Sequence, residues 1–328
     1  MRKLHRCGVK TRFPTAFAGK ISGLNEEHGQ LWYKPEALSQ AADFTIIAFM
    51  NLRPSRILKE LRAGKNPTCI KLNLGDPRII ELCGLAGASA VWICNEHVGN
   101  GWFNLENQIR AAKLYDVDTI VRIEKGSYSD YVKPFEADAT AIMVPHVRTA
   151  EEARHIVEMT RFKPLGRRAM DGGNVDGLYC QIPMADYLAH SNRERLLIFQ
   201  IESPEALENV EKIAAVPGFE VLLFGPGDFS HLIGKAGQSG APEVVAARRR
   251  VAAAAKKHGK FMMAPGFMAP RAELEAEGYR IFNLGADVLG LGDYLKAQVA
   301  AFNNESNGKL GANGAVRSKS RRKQGVYR

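Results

Sequence analysis

Two acids, Glu202 and Asp228, carry the clearest chemical signal in this 328-residue chain. They lie in the stretch 196–230, LLIFQIESPEALENVEKIAAVPGFEVLLFGPGDFS, each just after an apolar run. The text reads as strand, acid, amphipathic helix, strand, acid. A carboxylate at the end of a buried strand is costly unless something compensates it. A hard divalent cation does so, because it prefers oxygen ligands. Helix capping is the alternative, since Ser203-Pro204 and Asp228 both precede helix-like text. From these residues alone both readings stay open.

Positioning such acids takes a regular scaffold, and a rhythm of strand-like runs begins at residue 67. The runs are CIKLNLG (69–75), AVWICNEH (90–97), TIVRIE (119–124) and AIMVPHV (141–147), then LLIFQIE (196–202), EVLLFG (220–225), KFMMAPG (260–266) and ADVLGLGD (286–293). Helical text lies between most of them. Upstream, SRILKELRAGK offers Ser55 as a cap and puts Ile57, Leu58 and Leu61 on one face. Alternation of this kind means parallel strands, and eight repeats predict closure into a (β/α)8 TIM barrel. The expected organisation is an N-terminal extension over 1–50, a barrel over 51–302 and a disordered basic tail over 303–328. The interval 162–195 is long for a compact domain, which marks it as functional, and on a barrel it would lie over the mouth if it follows strand four.

Active sites of such barrels collect at the C-terminal ends of the strands. There the sequence offers His97, Arg122, His146, Gln200, Glu202 and Asp228. A divalent ion on two carboxylates polarises a carbonyl and stabilises an enolate. An arginine holds a carboxylate or a developing oxyanion, and a histidine moves a proton at neutral pH. Together these suit making or breaking a C–C bond next to a 2-oxo acid. Each residue also has a plainer role: a salt bridge of Arg122 with Glu96 or Glu124, and hydrogen-bonded loop positions for His97 and His146.

Composition narrows the classes. No apolar run reaches 18 residues, so no membrane span is expected. The net charge of +10 resembles that of a nucleic-acid binder. Its distribution argues against that partner: residues 1–14 hold five basic residues and no acid, and 303–328 hold seven against Glu305. The body between is close to neutral. The tail motif RSKSRRK could be solvated or could touch RNA, a membrane or a partner. Five scattered cysteines without a CxxC point to a reduced, cytoplasmic protein.

The segments WICNEHVGN (92–100), 121–170 and 196–230 resemble the HpcH/HpaI aldolase family, the class II, pyruvate-using group of the phosphoenolpyruvate/pyruvate barrels. The likeness spans roughly 52–302. It implies a metal-dependent aldolase that cleaves or forms a 4-hydroxy-2-oxo acid through a metal-stabilised pyruvate enolate, with Mg2+, Mn2+ or Co2+ as the ion. It implies Glu202 and Asp228 as metal ligands, His97 as base and Arg122 as the pyruvate-binding arginine. Gln200 falls on the family's active-site glutamine, and backbone amides near Gly227 and Asp228 would hold the substrate carboxylate. Pyruvate, an aldehyde and further copies of the chain are the implied partners, the last as a hexamer or trimer of dimers with C-terminal helices exchanged. Three positions depart from the pattern. Cys94 stands where an Asp usually precedes the histidine, Ala169 follows the loop Arg168 in place of a glycine, and Glu136-Ala137-Asp138-Ala139 replaces small residues. A CoA-thioester lyase of the same superfamily and a barrel kept as a binding or scaffold module are the alternatives.

Overall fold

The computed structural model describes residues 52–266 and 268–306. The expected extension over 1–50 and nearly all of the basic tail lie outside the described residues. Eight strands close into one parallel barrel in sequential order. In chain order the elements are α1 (Arg56–Arg62), β1 (Thr68–Leu72), α2 (Pro77–Leu85), β2 (Ala90–Cys94), α3 (Trp102–Leu114), β3 (Asp118–Arg122), α4 (Tyr128–Glu136), β4 (Ala141–Val144) and α5 (Ala150–Thr160). The second half holds α6 (Met184–Glu194), β5 (Leu196–Ile201), α7 (Pro204–Glu208), α8 (Val210–Ala214), β6 (Val221–Phe224) and α9 (Pro226–Leu232). It finishes with α10 (Pro242–Lys257), β7 (Phe261–Ala264), α11 (Arg271–Glu277), β8 (Tyr279–Ala286) and α12 (Asp287–Ser306).

Strand side chains alternate between the barrel interior and the helical shell. The interior at the strand starts is apolar, built from Cys69, Ala90, Trp92, Ile120, Ala141, Leu196, Ile198 and Val221. Ile57, Leu58 and Leu61 of α1 join this cluster and close the N-terminal end of the barrel. Ser55 caps α1 as its sequence suggests, its hydroxyl accepting from Leu58 N at 3.0 Å. Asp118 at the start of β3 anchors the cap, accepting from Ser55 Oγ and Ile57 N at 2.8 Å each. Truncating a side chain buried this fully, such as Ile57, costs about 2–5 kcal/mol. Further along the strands the inward positions turn polar: Lys71, Arg122, Gln200 and Asn283.

Two expectations need correction. The eighth strand is Tyr279–Ala286, not 286–293. Residues of ADVLGLGD after Ala286 open the long α12, because a short apolar run fits a helix as well as a strand. The side chain of Asp287 fixes that start, accepting from Asn73 N and Leu74 N at 2.9 Å and from Val288 N at 2.7 Å. The helix also runs four residues past 302. The long interval follows α5, and its own side chains hold it together. Arg168 and Tyr187 both donate to Asp176 Oδ2, at 3.1 and 2.7 Å, and the Arg168 guanidinium covers the Phe162 ring at 4.6 Å. Ala169 N donates to Tyr128 Oη at 2.9 Å, which ties this segment to the start of α4 at the mouth side of β3. Leu178, Tyr179 and Cys180 are held in consecutive left-handed conformations.

Candidate active site

Neither acid of the 196–230 stretch caps a helix. Ser203 does so for α7, accepting from Ala206 N at 3.1 Å, and Asp228 lies inside the first turn of α9 behind Gly225. Glu202 is instead buried at 2 % exposure and held by two donors. His146 N donates to Oε1 at 2.7 Å and Gln200 Nε2 donates to Oε2 at 2.8 Å. Burial pushes the Glu202 pKa up, and the charges of Asp228 and Glu96 push it the same way against the pull of His146.

His146 is central to the arrangement. Its φ of 53° lies in the left-handed region, a strained choice for a residue with a Cβ. That turn folds the ring back between two carboxylates, with Nδ1 3.1 Å from Glu202 Oε1 and Nε2 3.3 Å from Glu96 Oε1. Lys125 Nζ donates to its carbonyl at 2.7 Å. Glu96 continues the chain of contacts, its Oε2 lying 3.0 Å from Arg122 Nε. Arg122 also donates to Cys94 Sγ at 2.9 Å and stacks 4.9 Å from the Trp92 ring centre. Ends of β2, β3, β4 and β5 thus meet through Arg122, Glu96, His146, Glu202 and Gln200.

The remaining sequence-derived positions sit at the edge of this group. His97 is exposed and meets it through Glu96 Oε2 at 3.5 Å. Asp228 is exposed and makes no hydrogen bond or ion pair among the described residues, although its charge reaches Glu202. Gly227 beside it is open, with nothing within 4 Å of a Cβ built there. Cys94 supports Arg122 and not His97, so the thiol is part of the arginine's environment. Glu96 entered the sequence reading only as a salt-bridge partner, and His146 as a strand-end candidate whose plainer role was a hydrogen-bonded loop position. The strand-end position of both was legible, but not the turn that brings them together.

The donor set suits a hard cation. Glu202 is a buried carboxylate raised by burial and by neighbouring acids, Asp228 is an unpaired carboxylate in its field, and Gln200 Oε1 is buried without a partner. Among the described residues no group of three or more His, Cys, Asp and Glu stands at ligand spacing. A cation would therefore rest on two protein carboxylates and take its other ligands from water or substrate.

Gly225 makes room for Glu202. A Cβ built there would stand 2.6 Å from Glu202 Oε2 and 2.7 Å from Glu202 Cβ. Only glycine lets the β6 end approach the acid so closely.

A parallel barrel with acids and an arginine gathered at the strand ends is a (β/α)8 enzyme scaffold set up for small oxygen-rich substrates. The chain belongs to the HpcH/HpaI aldolase/citrate lyase family, whose pattern matches residues 71–291. It is 32% identical over 222 residues to a 5-keto-4-deoxy-D-glucarate aldolase of Klebsiella pneumoniae, covering 68% of this chain and 84% of that one. It is 30% identical over 264 residues to a 2-keto-3-deoxy-L-rhamnonate aldolase of Escherichia coli, covering 79% and 97%. The fold is similar to the crystal structure of an HpcH/HpaI aldolase from Desulfitobacterium hafniense, with a TM-score of 0.70 at 27% identity over 75% of this chain and 96% of that one. The chain is thus an enzyme of the aldolase class, and these likenesses do not favour a CoA-thioester lyase or a scaffold. Among the described residues no helix is long and apolar enough to cross a membrane.

Proposed function

We propose that the chain cleaves a 4-hydroxy-2-oxo acid to pyruvate and an aldehyde, and runs the reverse addition, with a divalent cation held by Glu202 and Asp228. The observation that carries this reading is the buried Glu202, fixed by His146 N and Gln200 and repelled by Asp228. When bound, Mg2+, Mn2+ or Co2+ would polarise the 2-oxo carbonyl. Arg122, steadied by Glu96 and Cys94, would face the same carbonyl oxygen and balance the charge that develops on it. His97 at the exposed rim would take the 4-hydroxyl proton as the C3–C4 bond breaks and the electron pair passes to the enolate, and a proton returned to C3 would complete pyruvate. Open backbone at Gly227 and Asp228 would meet the substrate carboxylate.

The test is direct. Full-length protein stripped with a chelator should release pyruvate from 4-hydroxy-2-oxo acids, including 2-keto-3-deoxy sugar acids, only after Mg2+, Mn2+ or Co2+ is restored. Metal-independent release, or none across the panel, overturns the reading.

The same proposal extends to assembly. Val288, Leu289, Tyr294 and Val299 on α12 are exposed by 40, 60, 60 and 61 %, and apolar side chains this open favour a homo-oligomer, for which a hexamer is our choice. Light scattering that returns a monomer at micromolar concentration would count against it. Cys69, Cys83, Cys94 and Cys180 are unpaired, which supports a cytoplasmic location.

A further inference from the structure

Lys71 faces the barrel interior at the C-terminal end of β1, in register with Trp92 on β2. Its ammonium lies 5.5 Å from the Trp92 ring centre, which Arg122 covers at 4.9 Å. Two cations thus share one indole. Arg122 has Glu96 at 3.0 Å, whereas Lys71 has no hydrogen bond or ion pair among the described residues. Asp287 at the start of α12, the aspartate whose charge reaches Lys71, is already occupied by Asn73 N and Leu74 N. Burial and the Arg122 charge both push the Lys71 pKa down, while Cys94, Glu96 and Asp287 act against them. Trp92 adds a second mark: its indole N–H is buried without a hydrogen-bond partner.

An ammonium without a counter-ion beside an unpaired N–H donor is complementary to a carboxylate. The strands place it across the barrel from Glu202 and Asp228, since β1 stands opposite β5. We infer that Lys71 binds a second carboxylate of the substrate, so that the preferred 4-hydroxy-2-oxo acid is a dicarboxylic one. The inference rests on the aldolase reading above and adds the substrate class. One end of the molecule meets Arg122 and the β5–β6 acids, and the distal carboxylate meets Lys71.

The experiment compares pyruvate release from 4-hydroxy-2-oxoglutarate and 4-hydroxy-2-oxopentanoate, which carry a carboxylate and a methyl group at the same carbon. The wild-type chain should prefer the dicarboxylate in kcat/KM. Lys71→Met and Lys71→Gln should each shrink the ratio of the two values at least tenfold, and Lys71→Arg should keep most of it. An unchanged ratio in a folded neutral variant overturns the inference, as does a wild-type enzyme without preference. Calorimetry with 2-oxoglutarate and 2-oxopentanoate separates this claim from the one it rests on. Should neither aldol be cleaved, tighter binding of 2-oxoglutarate that Lys71→Met erases would support the carboxylate site while the aldolase reading falls. Equal binding of the two would sink both.

Discussion

His146 and Glu202 are joined twice: backbone N–H to Oε1 at 2.7 Å, and ring Nδ1 to the same oxygen at 3.1 Å. One left-handed residue supplies both contacts, so the backbone and the imidazole at this point are a single device. Replacing His146 separates them. His146→Gly relieves the strained φ and keeps the N–H, whereas His146→Ala keeps the strain and loses the ring. The glycine variant should therefore be more stable than the alanine variant by about 1 kcal/mol in urea unfolding. Equal stability would show that the backbone relaxes without the imidazole.

Asp228 is exposed and has no hydrogen bond or ion pair among the described residues, so its loss should cost function and not folding. Asp228→Ala is expected to lower Mn2+ affinity at least tenfold and abolish pyruvate release while leaving the melting temperature within a few degrees. Retained activity would remove Asp228 from the site.

At Gly225 the clash of a built Cβ with Glu202 is with the acid's own stem, which cannot swing aside as a side-chain tip would. Gly225→Ala should displace the carboxylate, with kcat/KM falling by tenfold or more and Mn2+ binding weakened in parallel. An alanine variant with wild-type Mn2+ affinity would show that β6 yields instead.

Acid should weaken the fold through His190. Burial, with Arg195 close by, lowers its pKa from 6.5 to about 4, and its Nε2 lies 3.2 Å from Arg53 O. The folded chain holds the ring neutral while the unfolded chain protonates it below 6.5, so the unfolded state binds more protons in that window. Stability contributed by the neutral ring is complete above pH 6.5 and is lost as pH falls toward 4. After allowance for partial solvent screening the loss is on the order of 1–2 kcal/mol. The difference in urea midpoint between pH 7.5 and 5.0 should shrink in His190→Gln; an unchanged difference assigns the slope to other groups.

Much of this architecture could be read before any coordinates. The period of strands and helices gave seven strands in place, and Ser55 with Ile57, Leu58 and Leu61 foretold α1. The eighth strand was misplaced because Tyr279–Ala286 runs without a break into the apolar start of α12, and hydrophobicity alone does not say where extended backbone turns helical. The acids were found because charge after a buried run is conspicuous. Glu96 and His146 were not assigned their places, because their meeting depends on a positive φ at one residue and on barrel curvature across three strands. Lys71 escaped notice for a similar reason: its inward direction follows from strand register, and its lack of a counter-ion from everything around it.

The α1 plug has a consequence for traffic. Among the described residues, Ile57, Leu58 and Leu61 close one end of the barrel, which leaves the strand-end mouth as the way in and out for reactants and products. Whatever enters first lies deepest and must depart last. A cleaved aldehyde would leave ahead of the fragment beneath it, and the sequence of release would be imposed by the stopper at the far end.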